Sequence, residues 1–208
     1  EFFRSVRADN PPPLSFGLMR WMRSLFGEGE VALRLPSIAA GFGVAVMLGR
    51  TSPGPRGILA TTLFALSSFT LVLVTDARMY AWLALAVTGL WIAAERAREE
   101  GRGYGWAFLW SLIGLHTHYF FLHSAFVVVL MLALDFRRRP ERRGRILRLA
   151  GAMAASLVAF LPWFIYGMRH QLGHGLIPGR SHTRLVDYAA SIAHYFFMDV
   201  GAGGPSSR

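Results

Sequence analysis

Five stretches almost free of charge divide the chain, at 35–49, 57–75, 79–94, 103–134 and 149–168, and polar turns or arginine-rich runs separate them. A helix rises about 1.5 Å per residue, so the apolar layer of a bilayer asks for roughly 17–25 residues. The second and fifth stretches meet that length directly, and the first and third do so if their flanking side chains snorkel. The fourth is too long for one comfortable crossing and short for two. Arg96, Arg98 and Arg102 precede it and Arg137, Arg138, Arg139, Arg142, Arg143, Arg145 and Arg148 follow it. Two short crossings leave both clusters on one side, in keeping with the positive-inside bias. The pattern therefore predicts an all-α integral membrane protein with about six crossings, 35–49, 57–75, 79–94, 103–117, 120–134 and 149–168, and a turn near His116–His123.

The flanks are more polar. In 1–34 the triple proline 11–13 is expected to block a helix and hold the chain extended. After it Leu14, Leu18, Trp21, Met22 and Leu25 recur at helical spacing, with Phe26 at the edge of the stripe and Arg20 and Arg23 on another face. Gly17 weakens the pattern, so the stable part is expected from Leu18, ending at Gly27. The stripe suits a helix lying in a membrane interface or an ordinary packing helix. Six crossings place 1–34 in a first external loop and 169–208 in an external loop or interfacial segment, with Leu185–Val200 apolar again.

Composition agrees with this picture. Hydrophobic residues make up 53% of the 208 and charged ones 16%, and the mean hydropathy is +0.38, more apolar than a water-exposed domain of this size needs. All the basic residues are arginine, and the net charge is +10. The arginines sit at the ends of apolar runs and mainly orient the helices, which argues against nucleic acid as a partner. With no cysteine, disulfides and thiolate metal sites are excluded. The chain opens at Glu1 without a basic or apolar leader, so a first helix is expected upstream.

Three places gather chemistry at the predicted external side. TDARMY, 75–80, offers the Asp76 carboxylate, the Arg78 guanidinium and the Tyr80 phenol at one depth, either as a site or as charges marking helix ends. LHTHYFFLH brings His116, His118, Tyr119 and His123 to one turn. On a helix the two rings of H-x-H diverge by about 200°, so a divalent cation would need a further ligand such as Asp76, and a polar substrate lining is the better fit. Asp9 and Asn10 precede the prolines, where a fixed carboxylate can be a general base, can hold a sugar hydroxyl or can be a plain turn residue. No nucleotide, zinc-protease or serine-elbow signature is present, and no cofactor follows from the sequence.

ADNPPPLSFGLMRWMRSLFGEGEVALRLPS (8–37), TDARMY (75–80) and THYFF (117–121) fall in an order that resembles the GT-C superfamily of polytopic glycosyltransferases, in its protein mannosyltransferase and ArnT-like group, glycosyltransferase family 39. That group has an external loop with a juxtamembrane helix, so the resemblance implies a GT-C-like multi-span helical bundle. It implies transfer of a sugar from a polyprenyl-phosphate donor to a lipid, glycan or protein acceptor at the external face, in contact with membrane lipids. The protein would be a multi-pass component of a bacterial plasma membrane. By the same resemblance Asp9 and Asp76 act as catalytic carboxylates, the usual Asp-Glu pair lying upstream of Glu1. Arg78 and, less directly, Arg34 meet the phosphate, and Asn10, Tyr80, His116, His118 and Tyr119 bind substrate. Pro11 stands where the group more often has His, and Asp76 where it has Glu. The rival readings are a polytopic transporter or lipid flippase, which calls for mid-span charges and broken helices, and a non-catalytic membrane subunit.

Overall fold

The computed structural model describes residues 13–27, 29–51, 54–75 and 79–173, and all regular structure among them is helical. The helices are α1 (Pro13–Phe26), α2 (Glu30–Thr51), α3 (Pro55–Leu66), α4 (Ser68–Thr75), α5 (Tyr80–Glu100), α6 (Tyr104–Thr117), α7 (Phe121–Arg138) and α8 (Arg143–Gly173), with a 3₁₀ turn at Pro140–Arg142. The described residues up to Gly167 form one packed unit. Those of α8 beyond it belong to a second, 168–208, of which only 168–173 is described.

Local chemistry explains where the helices break. α1 starts at Pro13, earlier than expected and despite the prolines, because a first-turn proline lacks only an N–H that has no helical partner. It ends at Gly27 (φ 79), whose N–H bonds the Arg23 carbonyl at 3.0 Å. The run 57–75 is split at Ser67, which adopts extended backbone. Its hydroxyl bonds the Phe64 carbonyl at 3.0 Å and accepts the Thr70 N–H at 3.1 Å, a local alternative to the helical ladder. α5 closes at Gly101 (φ 71), with bonds from Gly101 N–H to Ala97 and from Arg102 N–H to Arg96.

The core sits on α5, whose small side chains let neighbours approach closely. Ala86, Leu90, Ala93, Ala94 and Ala97 pack with Ala107 and Leu115 of α6, Phe121, Val128 and Leu132 of α7, and Ile146, Leu149, Met153 and Phe160 of α8. Ala81 and Leu85 join Ala40 and Val44 of α2 in a second cluster. Three glycines set the closest contacts: Gly41 faces the Val74 side chain, Gly89 the Trp110 ring and Gly114 the Phe121 ring.

The end of the bundle opposite the 118–120 turn is ionic. Arg98 of α5 bonds Asp135 of α7 and Glu95, each at 2.7 Å, and Arg142 bonds Glu99. Partial burial opposes the Arg98 charge, but the hydrogen bond to Asp135 and the charges of Glu95 and Asp135 outweigh it and raise its pKa. The hydrogen bond from Arg142, ahead of the surrounding arginine charges, holds the Glu99 carboxyl below the usual carboxylate range.

The expected six-crossing GT-C-like bundle is therefore corrected. Two helical runs, Glu30–Thr51 and Pro140–Tyr166, have the length and apolarity to cross a membrane. The rest fall short for physical reasons. The pieces on either side of Ser67 span only about 18 and 12 Å, and α6, with 14 residues, about 21 Å. α5 and α7 end in the charged knot, with Glu95, Arg98, Glu99, Asp135, Arg137 and Arg138 on their last turns. The multi-pass plasma-membrane localisation that rested on six crossings falls with them.

The glycine contacts give a paired prediction. Gly114→Ala drives a methyl into the Phe121 ring and should lower stability by about 1–3 kcal/mol. Gly151→Ala, with nothing within 4 Å of the added carbon, should raise it by about 0.4–1 kcal/mol. Thermal unfolding of the two variants beside the parent checks both signs.

Candidate functional site

Asp9, Asn10, Asp76 and Arg78 lie outside the described residues. The remaining sequence candidates divide between the turn joining α6 to α7 and the start of α2. Arg34 pairs with Glu30 one helical turn earlier, with its side chain 40% exposed. Exposed pairs of this i, i+4 kind contribute little.

At the turn, α6 ends at Thr117, His118 takes extended backbone as its cap, and α7 starts at Phe121. The His118 ring lies 5.9 Å from the Tyr80 ring at the start of α5, and 4.6 Å from Phe120. Its Nδ1 accepts the Phe120 N–H at 3.0 Å, which fixes a neutral ring with the proton on Nε2. Burial lowers the His118 pKa and raises that of the Tyr119 phenol, which packs against the main core cluster. Both groups are thus neutral at pH 7.

His116 is turned elsewhere. Its Nδ1 meets the Leu112 carbonyl at 2.9 Å, and its ring stands edge-on to Phe160 of α8 at 5.0 Å. His123 meets Phe120 edge-on. Among the described residues no three His, Asp or Glu side chains come together to hold a metal. The turn thus joins Tyr80 to His118 through ring contact and leaves His116 packed away from them.

A second place, which the sequence reading passed over, lies at the ionic end. A cleft of about 290 Å³ opens between the end of α2 (Met47, Arg50, Thr51), the α5 face carrying Gly89, Ile92, Ala93 and Arg96, and the start of α6 (Gly103, Trp106, Trp110). Trp106 and Trp110 stack with centroids 6.5 Å apart and 25° between planes. The sequence signal was an i, i+4 tryptophan pair beside arginines assigned only to orienting helices.

The turn titrates in a predictable direction. With its folded pKa below the usual value of about 6.5, His118 binds fewer protons folded than unfolded, so stability falls as pH drops below that value and through the folded pKa. Chemical unfolding between pH 7.5 and 5 should show a loss that His118→Asn reduces. An identical pH dependence in the variant would refute the assignment.

Comparison with known proteins finds no matching protein family, no matching curated protein and no matching solved structure. The resemblance to the GT-C mannosyltransferase and ArnT-like group is corrected accordingly, since its three short motifs do not extend to a family match. The lipid-linked sugar-transfer reading goes with it, having neither a family nor a metal-binding cluster among the described residues to support it. The transporter, flippase and non-catalytic membrane-subunit rivals, which depended on the same multi-span bundle, are corrected too.

Proposed function

We propose that this chain is a lipid-binding helical module, with outward apolar helix faces that take acyl chains and an arginine-rich end that takes anionic headgroups. The observation that carries the reading is the outward apolar surface. Only 33% and 22% of the apolar windows in the two longest apolar runs are buried within the protein. Phe42 on α2, Ile58 and Leu63 on α3, Phe126 on α7 and Val158 on α8 are each more than 60% exposed.

Exposed apolar side chains in this number mark a surface of association, because each large side chain moved out of water contributes about 1.5–3 kcal/mol. The faces belong to helices of both core clusters, attached separately to α5. One protein partner docks on one patch, whereas a fluid apolar phase covers all of them. Charge supports the same choice of partner. The ends of α2, α5 and α7 and the starts of α6 and α8 meet around the ionic knot and the cleft. Arginines near an anionic lipid surface contribute about 1 kcal/mol each. The reading needs apolar faces in contact with acyl chains.

Flotation of the purified full chain with vesicles tests it. The chain should float with phosphatidylcholine vesicles and more completely when about a third of the lipid is phosphatidylglycerol. Added salt should remove the second increment and leave the first. A chain that stays monodisperse in detergent-free buffer and fails to float with either vesicle overturns the reading.

A further inference from the structure

We propose that the cleft between the ends of α2 and α5 and the start of α6 binds the phosphate headgroup of an anionic lipid, with the first methylenes of the lipid chain lying against Trp106 and Trp110. The proposal deepens the lipid-binding reading and rests on it for the source of the ligand.

Charge is the first argument. Arg50 and Arg96 line the cleft from two different helices, and neither makes an ion pair or hydrogen bond among the described residues. The nearby acids are committed elsewhere: Glu95 and Glu99 to Arg98 and Arg142, and Glu100 to Arg102 at 2.6 Å. Two guanidinium groups lining one cavity, without an ion pair among the described residues, give it a positive charge suited to phosphate oxygens.

The backbone adds to that field. α6 begins at the cleft, immediately after Gly103 (φ 101), so the positive end of its dipole opens there. Gly103 lets the start of α6 sit close against α5, because a Cβ at that position would stand 3.2 Å from the Ala93 carbonyl oxygen.

The walls decide what carries the phosphate. Met47, Ile92, Trp106 and Trp110 are apolar or aromatic, and Trp106 is 59% exposed although it stacks on Trp110. An inorganic ion leaves such walls in water. An alkyl phosphate covers them, and indole is the side chain that suits a boundary between headgroup and hydrocarbon. A volume of about 290 Å³ lies at the low end for small-molecule sites. It holds a headgroup and a few methylenes, with the rest of the chain leaving along the outward apolar faces.

Titration of the detergent-depleted full chain with octyl phosphate, below the concentration at which that amphiphile aggregates, tests the site through tryptophan fluorescence. Saturable binding is expected, with inorganic phosphate and octyl glucoside each at least about tenfold weaker. R50Q/R96Q should weaken octyl phosphate binding by about tenfold or more with an unchanged circular dichroism spectrum. Trp106→Phe should keep the binding and lose part of the fluorescence change. Absence of saturable binding in the parent, or equal binding in R50Q/R96Q, overturns the cleft assignment, and inorganic phosphate binding as tightly as octyl phosphate overturns the lipid source. Flotation separates the two readings. R50Q/R96Q that still floats while losing octyl phosphate supports the cleft. A parent chain that binds octyl phosphate but floats with no vesicle supports the cleft and sinks the general lipid-binding reading.

Discussion

Close approach to the small-residue face of α5 is the constraint on which the rest of the structure depends. Ala86, Gly89, Ala93, Ala94 and Ala97 carry little side chain, so large groups from the neighbouring helices reach the α5 backbone and fill the space. Trp110 occupies the gap at Gly89 and Phe121 the gap at Gly114, which couples α5 to α6 and α6 to α7 by shape. Leu85 and Ala81 bind α2 along the same helix. Dispersion between well-fitted surfaces works equally well whether the outer faces meet water or hydrocarbon, and this permits a bundle with so many outward apolar side chains.

The two ends of the bundle are chemically unlike. At one, a largely buried Arg98–Asp135 pair and the Glu99–Arg142 contact join α5, α7 and the turn before α8. At the other, the Tyr80, His118 and Phe120 rings meet among the described residues. The ionic knot satisfies acids that would otherwise neutralise the nearby arginines, and among the described residues it leaves Arg50 and Arg96 without an ion pair. Site and scaffold are thus linked through the face on which each α5 side chain falls.

Helical character was legible from the apolar runs, and so was the end of the first helix, because Gly27 is a left-handed terminator in a recognisable context, whereas the end of α5 at Gly101 was not, the run having been closed at 94. The helix from Leu18 to Phe26 was legible too, though its start at Pro13 was not, since a proline reads as a breaker unless its place in the first turn is known. The crossing count failed because hydropathy averages over a window and cannot see the hydroxyl bonds of Ser67, or the ion pairs that gather the ends of α5 and α7. The pairing of Tyr80 with His118 depends on three helix ends meeting, which spacing alone does not encode. The cleft was missed because Arg50, Arg96 and Trp106 lie on three separate helices, each with an ordinary explanation taken singly.

The elbow at Ser67 has a consequence for the surroundings the bundle tolerates. A helix that stops within an apolar stretch normally bares backbone groups that only water can satisfy, which ties such a stop to an aqueous surface. Here the Ser67 N–H meets the Phe64 carbonyl, the Ser67 carbonyl accepts the Leu71 N–H, and the Ser67 and Thr70 hydroxyls bond each other at 2.9 Å. The bend thus meets part of its own hydrogen-bonding need with the side chains of Ser67 and Thr70, and its geometry leans less on what surrounds it.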